Sequence, residues 1–162
     1  SPPNIAIMGL AMFLTLYTMA PTFSKINNEA IQPYINDEID FNEASVTAGD
    51  AMKEFMIHQT RKNDLAVFMK IAKIEIPDSP MKLPFHIIVP SFIISEFRTA
   101  FEMGCLIFVP FLLLDLVIAS ILLSAGMMML PPAMISLPFK LILFILVDGW
   151  GILANSLSLS FR

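Results

Sequence analysis

The sequence predicts an all-α protein built as apolar helix, polar helical middle and apolar helical end. Three observations carry that expectation. Of the 162 residues, 56% are apolar and only 15% charged, against about a quarter charged in an ordinary soluble domain. The charges are also segregated: nineteen of the twenty-four lie between Lys25 and Arg98, none precedes Lys25, and only Glu102, Asp115, Lys140 and Asp148 fall between residues 99 and 161. Finally, the apolar runs are long enough to cross a bilayer core of about 30 Å, and the mean hydropathy is +0.73. The sequence therefore divides into residues 1–24, 25–88 and 89–162, and points to a membrane-associated chain in contact with lipid.

The first element is an apolar helix from Ile5 to about Phe23. The chain starts at Ser1, and Ser1-Pro2-Pro3-Asn4 has no basic leader character, which suggests a start inside a longer product. The polar middle reads as helical. Asp40 and Glu43 have the spacing of a capping box, and Ala48, Met52, Phe55 and Met56, then Leu65, Phe68, Met69 and Ala72, recur with helical period. Gly49 and the stretch 59–64 are expected interruptions, and Pro77, Pro80 and Pro84 mark a linker.

A shorter apolar helix is expected over Val89 to Met103, then a second apolar run from Gly104 to Leu130. Pro131-Pro132 stops it, because proline lacks an amide donor and restricts its predecessor. A third run follows from Ala133 to about Leu159, making a helical hairpin with its turn at residues 126–132.

Composition and motifs exclude several functions. A net charge of −4 argues against nucleic acid as a partner. There is no HExxH, no glycine-rich phosphate loop and no Ser/His/Asp spacing, so neither an enzyme nor a cofactor or metal site is expected. The single cysteine, Cys105, lies in an apolar run and reads as a buried hydrophobe.

The candidate functional residues lie near the end of the chain and on the helix before it. Asp115 and Lys140 are ionisable groups inside apolar helices, where a charge is costly and faces a partner or a hydrated path. Measured from the turn at about 1.5 Å per residue, they lie at depths of about 15 and 12 Å, within a lysine's reach. Two readings follow: a buried charge pair that fixes helix register or assembly, or a proton or ion relay in a transporter or channel subunit. Met127, Met128 and Met129 follow Gly126 at the turn. They are either a Met-rich turn or, if several copies converge, a deformable apolar ring around a pore. Glu96 and Arg98 are candidates for subunit contact, and Arg98 has Glu102 as an i,i+4 neighbour. Trp150 suits either a membrane–water boundary or packing on a neighbouring helix.

Taken in order, these stretches resemble the FliP family of the bacterial flagellar export gate and its injectisome relatives. The resemblance rests on Ser1-Pro2-Pro3-Asn4, Gly9-Leu10-Ala11-Met12-Phe13-Leu14-Thr15, Glu54-Phe55-Met56 with Gln59-Thr60-Arg61, and Pro90 to Phe101. Its strongest part runs from Ile107 to Trp150, including Asp115-Leu116-Val117-Ile118-Ala119-Ser120, Gly126 to Met129, Leu137-Pro138-Phe139-Lys140 and Val147-Asp148-Gly149-Trp150. It implies bent hydrophobic hairpins packed in a helical multi-subunit pore complex, so that the apolar runs need not each cross the bilayer. It also implies a preceding signal peptide and hydrophobic segment, and a structural, pore-forming subunit of the type III protein export gate. The expected partners are further copies in a pentameric homo-oligomer, FliQ-like, FliR-like and FlhB-like subunits, and unfolded export substrates. The expected location is the inner membrane within the flagellar basal body, with the central segment on the periplasmic side. In this resemblance Met127, Met128 and Met129 line the closed gate, Asp115 and Lys140 match the intramembrane acid and lysine, and Glu96 matches the Ser-Glu glutamate. Ser91, Phe97 and Gly151 depart from the commoner pattern, and the stretch 73–84 is less recognisable.

Overall fold

A computed structural model describes residues 3–161, and every regular element among them is helical. Two compact units are present. The chain up to Arg98, with Ser160 and Phe161, forms one, and Thr99–Leu159 forms the other.

In the first unit, helix α1 (Asn4–Ile26) passes through a π turn (Asn27–Ile31) into α2 (Gln32–Ile35). These 32 residues form one apolar helical run, so the helix continues past the first charges at Lys25 and Glu29. The π turn lies just ahead of Pro33. Proline has no amide and its ring collides with the carbonyl four residues earlier, and one extra residue in the turn moves that carbonyl aside. Helix α3 (Phe41–Gln59) starts where the capping box places it: the Asp40 carboxylate accepts from the Glu43 amide at 2.7 Å. Gly49 does not interrupt α3. A glycine costs a helix interior only about 1 kcal/mol against alanine, less than the packing of a 19-residue helix supplies. The real break is confined to Thr60 and Arg61, both extended, before α4 (Lys62–Ile71).

Helix α4 closes at Lys73, which takes a left-handed φ of 55°, with the Ile74 amide bonded to the Met69 carbonyl at 3.0 Å. The proline linker holds one 3₁₀ turn (Pro80–Lys82). The core of this unit is Met56, Met69, Leu83, Ile87 and Ile88, with Phe55, Leu65, Phe68 and Phe92 packed around it. Ile88 is fully buried. The linker residue Leu83 thus sits in the core rather than beside it.

Helix α5 (Phe85–Ser124) is a single helix of 40 residues. Two helices were expected, with a change near Gly104, but the helix runs unbroken through Pro90, Gly104 and Pro110. It is about twice the length needed to cross a bilayer. Its apolar side chains face outward: Phe97, Phe101, Leu106 and Leu116 are exposed. So is Cys105, contrary to the expectation of burial, because the apolar run around it lies on a face that this chain does not cover.

In the second unit the end of α5 turns at Gly126 into α6 (Pro132–Leu146), followed by α7 (Gly149–Ser160). The run expected to be continuous from Ala133 to Leu159 is broken at Val147-Asp148, and α6 and α7 meet at a bend of 60°. Trp150 packs edge-on against Phe144 across that bend, with ring centroids 5.3 Å apart.

Candidate functional site

The hairpin turn is built by a left-handed glycine. Gly126 has φ 75°, where a residue with a β-carbon is strained. The Met127 amide bonds back to the Leu122 carbonyl at 3.0 Å and the Gly126 amide to Leu123 at 3.1 Å, which ends α5 as a Schellman motif. The loop that follows leaves Met128 81% and Met129 97% exposed, and Met127 half exposed. The Met128 and Met129 side chains therefore project from the tip, while Met127 is half covered.

About ten residues back from the tip, the two arms are joined by polar groups. Lys140 of α6 donates to one oxygen of Asp115 on α5 at 2.5 Å, and Ser136 donates to the other at 2.5 Å. Ser136 and Lys140 are four apart, so one helical face presents both donors to one carboxylate. Ser136 is fully buried, and the side chains of Lys140 and Asp115 are 25% and 30% exposed. The Asp115 carboxylate thus has both oxygens occupied, as a charge in apolar surroundings requires. Sequence reasoning singled out Asp115 and Lys140 but not Ser136. The available signal was a hydroxyl one helical turn before the lysine in an otherwise apolar run.

Glu96 and Arg98 lie in the other unit and make a different arrangement. Arg98 reaches Asp64 of α4, Nη2 to Oδ1 at 3.2 Å, and the Asp64 side chain is only 5% exposed. Three residues earlier on α5, the buried Ser95 hydroxyl accepts from the Arg61 amide at 2.9 Å. Two side chains of α5 thus grip the start of α4: one holds the backbone of its N-cap residue, the other its first-turn carboxylate. Glu96 lies between them, half-buried. Asp64 and Ser95 were not anticipated as site residues, because their partners are distant in sequence.

A cleft of about 260 Å³ lies between α1 and α3, lined by Lys25, Glu54, Phe55 and His58 among others. Lys25 and Glu54 pair across it at 2.5 Å. The hydrogen bond from Lys25, and then its charge, hold the Glu54 carboxyl below the usual carboxylate range. Among the described residues no three of His, Cys, Asp or Glu are grouped to hold a metal ion.

Among the described residues two helices are long and apolar enough to cross a membrane, and the bent α6–α7 pair makes a third if counted as one span. Long apolar helices, with an acid and a lysine paired between two of them, define an all-α membrane protein. Residues 1–157 match the model of the FliP family, and the chain belongs to that family. It is 54% identical over 160 residues to the flagellar biosynthetic protein FliP of Bacillus subtilis (strain 168), covering 99% of this chain and 72% of that protein. The protein of the same name from Caulobacter vibrioides is 49% identical over 162 residues, covering all of this chain and 61% of its own length. The one from Aquifex aeolicus is 46% identical over 164 residues, covering 100% of this chain and 69% of that protein. The chain thus spans roughly two thirds of the length of these relatives.

Proposed function

We propose that this chain is a structural, pore-forming subunit of the flagellar type III protein export gate. In this reading it passes unfolded flagellar proteins across the bacterial inner membrane. The observation that carries the reading, beyond family membership, is the methionine tip. Met128 and Met129 are 81% and 97% exposed on a loop held by the left-handed Gly126 at one end and Pro131-Pro132 at the other. Exposed apolar side chains at the end of a hairpin need a partner surface. Methionine is suited to a surface that must repack around different contents, since its side chain is unbranched and polarisable. Copies of the loop meeting on one axis would form a seal that excludes ions at rest and yields to a passing chain.

In the assembly this reading requires, five copies pack with FliQ-like and FliR-like subunits and an FlhB-like subunit, in the flagellar basal body. The polar segment, residues 25–88, lies on the periplasmic side. The apolar faces of α1 and α5 are buried against other subunits or lipid. Glu96 and Arg98 serve subunit contact, and the Asp115–Lys140 pair fixes helix register. No bond is made or broken by this chain, and the energy for transport comes from other components. The ion-conducting alternative needs Asp115 and Lys140 open to a hydrated path, whereas the Asp115 oxygens are both engaged by Ser136 and Lys140.

The test replaces Met127, Met128 and Met129 together by alanine in the assembled gate. The expected result is a complex that still assembles but leaks small ions across membranes that the parent keeps tight. Membranes as ion-tight as the parent's would remove the seal from the proposal.

A further inference from the structure

The corner between α6 and α7 is made by four consecutive residues and one ring. The Asp148 amide donates to the Ile145 carbonyl at 3.1 Å, which closes α6, and the Asp148 carbonyl accepts from the Ile152 amide at 3.0 Å, which opens α7. One residue therefore ends one helix and starts the next. To do both it stands at φ 50°, in the left-handed region where a β-carbon meets the carbonyl oxygen. Glycine adopts that conformation readily, and asparagine and aspartate tolerate it better than other residues.

The two glycines that flank Trp150 are closely approached by neighbouring side chains. A β-carbon on Gly149 would overlap the Phe144 ring, and one on Gly151 would overlap the Asp148 carboxylate. Between the two glycines, Trp150 stands edge-on to Phe144 with an interplanar angle of 89°. Phe144 in turn faces Phe111 of α5, with ring centroids 6.4 Å apart. The corner is therefore packed inside the bend and tied to the neighbouring helix.

We propose that Asp148 is a corner-forming residue required for its backbone conformation rather than for its charge, and that Gly149 and Gly151 let the corner close on Phe144. Together they hold α6 and α7 at a fixed angle and position Trp150. The assignment separates Asp148 from Asp115 and Lys140. Those two are a charge pair, whereas Asp148 acts at the junction through its own backbone.

Substitutions that separate conformation from charge decide the matter. Asp148→Asn and Asp148→Gly remove the charge and keep the tolerance for left-handed φ; Asp148→Glu keeps the charge and loses the tolerance. Spin labels at the exposed positions Met134 and Leu159, on full-length chains with Cys105→Ala diluted to one labelled copy per assembled complex with unlabelled chains, report the angle as a distance distribution. Asn and Gly should keep the parent's single narrow distance, while Glu should broaden or shift it. Gly149→Ala should shift it too, and adding Phe144→Ala should partly restore it by making room.

Complex yield gives a second readout for any variant that does not accumulate. Near-parental yield for Asn and Gly, with a several-fold loss for Glu, agrees with the proposal. It is overturned if Glu behaves as the parent while Asn and Gly fail, if all three behave as the parent, or if Gly149→Ala leaves the distance unchanged.

Discussion

Ser136 donates its hydroxyl proton to the same carboxylate of Asp115 that Lys140 neutralises, each taking one oxygen at 2.5 Å. The hydroxyl also lies 3.2 Å from the Ala133 carbonyl of its own helix. A serine in an apolar helix can satisfy itself on the preceding turn. Here the much shorter contact is to the acid, so the hydroxyl fixes the orientation of the carboxylate alongside the lysine. The pair between the arms is therefore a three-residue unit, and its parts are not interchangeable.

The first prediction follows from that unit. Asp115→Ala removes the acceptor for both donors and should lower the yield of assembled complex several-fold. Ser136→Ala removes one donor only, and its yield should lie between the parent and Asp115→Ala. The exchange Asp115→Lys with Lys140→Asp should recover only part of the loss. It restores opposite charges, but Ser136 then has no carboxylate on the facing helix. Complex yield after solubilisation reads all three, and a parental yield from Asp115→Ala would remove the register role.

The second prediction concerns pH. Lys25 holds the Glu54 carboxyl below its ordinary value of 4.5. A carboxyl lowered in the folded state contributes stability that is present above its unfolded value and disappears as pH falls through the folded value. The contact between α1 and α3 should therefore be unaffected at neutral pH and weaken only below the usual carboxylate range. Carbon-13 shifts of the Glu54 carboxyl should titrate below 4.5 in the parent and move upward towards that value in Lys25→Ala. The pair is exposed on both sides, 42% and 51%, so high salt should diminish the difference. An unchanged titration in Lys25→Ala would deny the lysine its effect.

How far these features were legible in the sequence depends on how far apart their partners are. The α3 cap was legible because Asp40 and Glu43 are three residues apart and the contact is local. The apolar hairpin was legible because hydropathy and Pro131-Pro132 act along the chain. Gly49 and Gly104 misled because local propensity marks them as breaks, whereas long helices absorb such costs through packing and neighbouring hydrogen bonds. The corner at Asp148 was missed although Asp-Gly-Trp-Gly carries the chemistry for it. Its decisive contact, the Phe144 ring on Gly149, is a matter of shape rather than pattern. Arg98 also reaches Asp64 at 3.2 Å, thirty-four positions away, a contact beyond any local rule.

That last pair supports a prediction about asymmetry. The Asp64 side chain is 5% exposed and Arg98 is 50% exposed, and the second Asp64 oxygen is buried without a hydrogen-bond partner among the described residues. Removing the acid leaves a guanidinium that water can reach, so Asp64→Ala should cost about 1 kcal/mol, as an exposed pair does. Removing the cation leaves a carboxylate sealed from water with one oxygen already unpaired. Arg98→Ala should therefore cost more, up to the roughly 3–5 kcal/mol typical of breaking a buried pair. The double variant should be more stable than Arg98→Ala alone, because the stranded charge is gone. Chemical unfolding of the detergent-solubilised protein, read as a double-mutant cycle, tests the order. A larger loss from Asp64→Ala than from Arg98→Ala would mean that burial of the carboxylate does not govern this contact.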